Sequence, residues 1–194
     1  MDQPITVRGE PGAIFDGGLA LQQFIILKDV HDLIFENIEV RRYHPAQNGV
    51  WLIIEGARNI TIREVKMHGC TQSNQGGTAN EHLLYLGGGV LGNITIEDSD
   101  LDVRGLNGAG IHMYHEPGFS GVTIQRNAIT GDATIQTTNP YSPNWAIIVA
   151  QHTSDVRVLD NTFIGAWRKH QIQLWYPDAT YTVTGNSPSD AYIP

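Results

Sequence analysis

Residues 108–118 read GAGIHMYHEPG. His112, Tyr114, His115 and Glu116 crowd beside two apolar residues, Ile111 and Met113. Upstream, NEHLLYLGGG carries Glu81, His82 and Tyr85; downstream, GAWRKH carries Arg168, Lys169 and His170. Imidazole and phenol are proton carriers, and the cations can hold a negative charge. Together these types suit removal of a proton next to a carboxylate. One group takes the proton, a second protonates a leaving oxygen, and the cations neutralise the carboxylate. In that scheme His112 pairs with Tyr85 or Tyr114 as base and acid. Glu81 and His82 orient them, and Arg168, Lys169 and His170 face the carboxylate. The competing reading is a strand whose polar face meets only water.

These residues need elements to hold them. At 194 residues, with 41% hydrophobic and 16% charged residues, the chain suits one domain with a real core. Its 21 glycines and its short runs of Ile, Val and Thr favour short strands and tight turns over helices. A net charge of −8 speaks against a nucleic-acid partner, because phosphate binding needs a basic face. No run of 18 apolar residues suggests a membrane span. The single Cys70 excludes an internal disulfide framework and a cysteine-based zinc site.

A repeat supplies the architecture. DLIFENIEV, NITIREVKM, NITIEDSDL, GVTIQRNAI, DVRVLDNTF and TYTVTGNSP carry anchors at Leu33, Ile60, Ile94, Val122, Val156 and Tyr181, spaced 25 to 34 residues apart. A second apolar run precedes each block. Stacked coils of short strands bury their inward rows against one another, as in a parallel β-solenoid. Alternation points both Ile of NITI inward and Thr outward. Ser99, Asn127, Asn161 and Asn186 share one position, where stacked amides can bond along the axis. Ile38 and Val65 hold that position in earlier coils.

This pattern of an apolar strand, N-I-T-I, an Asn turn and a variable loop resembles the right-handed parallel β-helix repeat of the pectate-lyase-like superfamily. PITVRGEPGAIFDGG looks like the first coils of secreted bacterial members. NEHLLYLGGGVLGNITI followed by GAGIHMYHEPG is similar to a broad bacterial group assigned to polysaccharide lyases, hydrolases or epimerases. The resemblance spans about residues 4–187. It implies an all-β right-handed parallel β-helix of six to seven coils, forming one domain over residues 1–194. It also implies a secreted or cell-surface setting without the leader, and an extracellular polysaccharide as partner. Such helices usually begin with a capping helix, whereas this chain starts at a strand. A fragment, a minimal natural helix, or copies associating through open ends is therefore expected.

The resemblance places sites on the outer face of each coil's first strand. Inward positions are expected at Val50/Leu52, Leu84/Leu86, Ile111/Met113 and Ile172/Leu174. Trp51, Tyr85, His112 and Gln173 then form one outward row, with Tyr114 and Trp175 in the next. The register of WAIIVAQ is left open. Trp51, Trp145, Trp175 and Gln173, with the 168–170 cations, are the expected sugar contacts, because sugars lay C–H faces on aromatic rings.

Lyase-type β-elimination on a uronate polysaccharide is the preferred reading. A non-catalytic carbohydrate-binding or structural module is the alternative, and glycoside hydrolysis a second one. Hydrolysis usually needs two carboxylates across the bond. This chain lacks the N-T-D, paired D-D and G-H-G motifs of the β-helix polygalacturonases. Calcium is conceivable, but Asp98, Asp100 and Asp102 lack the Gly and Glu of an EF-hand loop and read as a solvated edge. A transition metal held by His68, His82 and His112 would need a loop to fold back. No metal site is assigned.

Overall fold

The computed structural model describes residues 3–45, 48–71, 81–89, 92–114, 120–131, 145–150, 154–167, 170–175, 180–188 and 191–192. Among these the chain is all-β, with no helix. The strands lie in an 11-stranded and a 7-stranded sheet, and their pairings are parallel. Each strand pairs with its equivalent one repeat later: Asn48–Ile54 with Glu81–Gly87, then Ala109–Tyr114, Trp145–Ala150 and Ile172–Leu174. Long parallel sheets built this way are consistent with a β-solenoid.

The NITI-type strands form the core columns. Ile60, Ile94, Val122 and Val156 stack in register, as do Ile62, Ile96, Ile124 and Val158, and all are essentially fully buried. Each such side chain contributes roughly 1.5–3 kcal/mol of burial. The following corner repeats too. Asn37, Glu64, Asp98, Arg126 and Asp160 all take left-handed backbone, with φ between 51° and 55°. Asn and Asp tolerate that conformation best. It turns the chain into the next short strand, and the long strand Arg58–His68 runs through it. Its first part pairs with Gly92–Glu97 and its end with Asp100–Asp102.

One residue beyond the corner lies the polar ladder. Asn127 Nδ2 donates to Asn161 Oδ1 at 3.0 Å, and Asn161 Nδ2 to Asn186 Oδ1 at 2.9 Å. The same oxygens accept the backbone N–H groups of Asn127 and Asn161, while Asn127 Oδ1 accepts that of Ser99. The remaining amide hydrogens reach Ile96, Ile124 and Val158 carbonyls. These buried amides are thus satisfied, which burial demands.

The second sheet departs from strict alternation. Val50 and Trp51, Leu83 and Leu84, and Ala146 and Ile147 are consecutive residues that all lie in the main core. Gly110 and Ile111 occupy the same two positions, and a Cβ on Gly110 would face Val103 and Ile129 of the core. In the strand Trp145–Ala150, both Ala146 N–H and Ile147 N–H donate to Gln171 C=O, the signature of a β-bulge. The slip recurs in register from coil to coil. After it, alternation resumes with Ile53, Leu86, Met113 and Val149 inward.

This slip corrects two expectations. Trp51 is not an outward sugar contact. It is fully buried, pairs with Leu84, and packs edge-on against Phe24 and Phe35 at 5.1 Å each. Leu52 is not inward, because it pairs with Tyr85 on the outer face. The expectations at Leu84/Leu86, Ile111/Met113 and Ile172/Leu174 agree with the structure. The open register resolves as Ala146, Ile147 and Val149 in the main core. Trp145, Ile148 and Ala150, with Ala109, form a separate outer cluster.

Candidate functional site

The outer face of the second sheet carries three rows. Gly49 and His82 pair in the first, which continues through Ala109 to Trp145. The middle row runs Leu52, Tyr85, His112, Ile148, Gln173. The third runs Ile54, Gly87, Tyr114, Ala150. The slip at 83–84 is what puts both His82 and Tyr85 outward, three residues apart on one strand.

His82, Tyr85, His112 and Tyr114 line one depression of about 170 Å³. His82 Nδ1 accepts the Ala109 N–H at 2.8 Å, and His82 Nε2 lies 2.8 Å from His112 Nδ1. The two rings meet edge to face at 4.3 Å. The Tyr85 ring is edge-on to His112 at 5.6 Å, and Tyr114 lies 6.0 Å from His112. His82 is 2% and His112 9% exposed, whereas Tyr114 is 45% exposed.

Two glycines make the room. A Cβ at Gly108 would fall 2.2 Å from the Glu81 carbonyl oxygen and 2.5 Å from His82 Nδ1. A Cβ at Gly87 would fall 2.6 Å from the Tyr85 ring and 2.7 Å from the Tyr114 carbonyl oxygen. Any other residue at either position would displace the group it touches.

Burial sets the electrostatics. It pushes the His112 imidazole down to about 4. Burial, then the neighbouring His112, holds His82 well below the usual histidine range. Burial raises the Tyr85 phenol, and Tyr114 adds to that. Both imidazoles and the Tyr85 phenol are therefore neutral at pH 7.

The remaining expected residues distribute unevenly. Glu81 is buried at the strand start, with its N–H on Asn107 Oδ1 at 3.3 Å. Gln173 is 4% exposed in the middle row. Trp145 is buried and Trp175 is 38% exposed, edge-on at 6.4 Å. The Trp175 N–H bonds the Val149 carbonyl, which fixes it beside Ala150 at the end of the third row. His170 is half-buried beside Gln171. Arg168, Lys169, His115, Glu116 and Tyr141 lie outside the described residues. Sequence reasoning missed the apolar neighbours Leu52, Ile148 and Ala150 in the middle and third rows and the space left by Gly87 and Gly108. The glycines flanking the His/Tyr strands were the available signal.

The acidic strand does not fit calcium. Asp98 is clasped bidentately by Arg126, at 2.8 and 2.7 Å, and Asp102 by Arg104, at 2.9 and 2.7 Å. Their carboxylates are already neutralised. His68 bonds Glu39 at 2.9 Å rather than joining His82 and His112. Among the described residues no group of three or more His, Cys, Asp or Glu could hold a metal ion. No protein-family model, curated protein or solved structure matches the chain.

Proposed function

We propose that this chain is a right-handed parallel β-helix of six to seven coils, related to the pectate-lyase-like superfamily, that takes an extracellular uronate-containing polysaccharide along its outer face and cleaves it by lyase-type elimination. The observation that carries the reading is the convergence of His82, Tyr85, His112 and Tyr114 in one depression. Perturbed titratable groups gathered in a concavity mark candidate sites. An apolar strip of Ile148, Ala150 and Trp145, ending at Trp175, continues from it along the coils. Coils repeat about every 4.8 Å, so the strip suits an extended chain of sugars.

In the elimination, a base removes the C5 proton and the C5–H electron pair forms the C4=C5 bond. The C4–O bond breaks, and its oxygen takes a proton from the acid. The proton carriers of the depression are His112, Tyr85 and Tyr114. None of its four lining residues is a carboxylate, so two-carboxylate hydrolysis has no pair there.

A non-catalytic binding module is the second reading. One observation favours it: burial keeps both imidazoles neutral, and neutral donors can hold a sugar without reacting. Incubation with alginate, pectate and glycosaminoglycans, read by ultraviolet absorbance of the unsaturated product, tests the reaction. Absorbance that grows on one of them supports the lyase. A flat trace on all, with retained binding, transfers the site to the module reading.

A further inference from the structure

We infer that His112 offers its ligand an N–H and not a lone pair, that His82 is the positioning residue that fixes this, and that the group received is a carboxylate oxygen of an acidic sugar. The polarity follows from a donor that cannot be reversed. The Ala109 amide has only a hydrogen to give, so His82 Nδ1, 2.8 Å away, must be the bare nitrogen. A neutral imidazole bare at Nδ1 carries its proton on Nε2. That proton points at His112 Nδ1, also 2.8 Å away, which must then accept. His112 is left with its proton on Nε2, the ring atom farthest from the backbone, on a side chain that leaves the sheet toward the depression.

The reverse assignment is costly at each link. A bare Nε2 on His112 needs Nδ1–H directed at His82. His82 would then accept at both nitrogens as an imidazolate, or turn a hydrogen toward the Ala109 N–H and strand a buried donor. Protonating either ring opposes two hydrogens across one of these bonds. Burial of both rings acts in the same direction. The chain from Ala109 through His82 to His112 is thus a fixed relay of polarity that ends in a donor.

Within the elimination reading, on which the ligand assignment rests, His112 is not the base. As the C5 proton leaves, its electron pair moves toward the carboxylate, and a preorganised N–H there stabilises the growing charge. The proton goes instead to the oxygen of a neutral tyrosine phenol as that phenol passes its own proton to the leaving oxygen, so one O–H bond forms as another breaks.

The test needs no activity. Nitrogen-15 NMR of the imidazoles in the full chain at neutral pH is expected to show His82 and His112 each protonated at Nε2 and bare at Nδ1. A His112 protonated at Nδ1 overturns the inference. In His82→Phe, His112 is expected to show both tautomers; an unchanged single form removes His82 from the positioning role. A side-chain amide keeps an N–H but has no basic lone pair. His112→Gln is therefore expected to bind an oligouronate within about fivefold of wild type, and His112→Phe to lose roughly 10- to 100-fold. Equal losses in the two variants overturn the donor role. If no polysaccharide yields unsaturated product while the tautomers stand as stated, only the lyase reading falls.

Discussion

The buried His82–His112 pair should make the fold acid-labile in a window set by histidine rather than by carboxylates. A histidine held below its ordinary value in the folded state binds its proton more readily once unfolded. Stability is then complete above the unfolded value of 6.5 and falls as pH drops below it. The fall stops near the folded value, which is about 4 for His112. Each unit in that range costs about 1.4 kcal/mol. Between pH 7.5 and pH 5, His112 alone should remove about 2 kcal/mol, rising to about 3 kcal/mol below pH 4. His82, displaced in the same direction, adds to this. Asp16, Glu36 and Asp98 are held below their ordinary range chiefly by hydrogen bonds from Arg42, Arg63 and Arg126. Their contribution is present above the unfolded carboxylate value and is lost only at lower pH, so down to pH 5 they leave the window clear. Urea unfolding of wild type and His112→Gln at pH 7.5, 6.0 and 5.0 reads the difference. Its slope for a chain this size is roughly 2 kcal/mol per molar, so the wild-type midpoint should fall by roughly 1 M more than the variant's. Parallel pH profiles in the two proteins would refute the claim that His112 is buried neutral.

Three further outcomes follow from the packing. Trp51→Ala should cost about 3–5 kcal/mol of unfolding free energy, as for a buried aromatic, and an affinity loss at unchanged stability would return Trp51 to the sugar face. Asn161→Ala strands the backbone N–H of Asn127 and breaks both ladder bonds of Asn161, so chemical denaturation should show a loss of about 1–3 kcal/mol, and a change below 0.5 kcal/mol, roughly the scatter of surface substitutions, would refute the ladder's role. Gly87→Ala puts a methyl into the Tyr85 ring and the Tyr114 carbonyl, so oligouronate affinity measured by calorimetry should fall about tenfold or more, and retained affinity would show that the Tyr85 ring position is immaterial.

The first sheet was readable because its spacing is regular. Ile60/Ile62, Ile94/Ile96, Val122/Ile124 and Val156/Val158 follow period two without interruption, and the Asn positions five residues past each anchor hydrogen-bond as the spacing implies. The second sheet was readable only beyond its bulge. Counting back by twos from Leu86 and Leu84 puts His82 inside. Counting forward from Val50 puts Trp51 outside. Both fail for one reason: two consecutive residues face the core at 50–51 and 83–84. Hydrophobicity hides this, since Val50, Trp51, Leu52 and Ile53 are all apolar and any phase fits. The strand Trp145–Ala150, apolar on both faces, has the same ambiguity. The backbone reveals the slip through the paired N–H groups of Ala146 and Ile147 on Gln171 C=O, and a side-chain pattern does not carry that information.

The bulge also explains why the polar cluster is a cluster. Under strict alternation, the outward faces of Glu81–Gly87 and Ala109–Tyr114 would hold Tyr85 beside His112, with His82 turned into an apolar interior that offers no partner. The slip rotates His82 outward to the level of Ala109, whose N–H it accepts, and within reach of His112. Gly108 keeps its ring unobstructed, and Gly87 does the same for Tyr85. A backbone irregularity repeated through several coils therefore serves two ends. In the coil of Trp51 it packs the core, and in the coil of Ala146 it also turns Trp145 and Ile148 to the outer face. In the coil of Leu83–Leu84 the same geometry seats an imidazole whose single function is to orient another. Moving His82 to any neighbouring coil would leave the fold's columns intact and break the relay, so the bulge supplies the place and the identity of residue 82 supplies the chemistry.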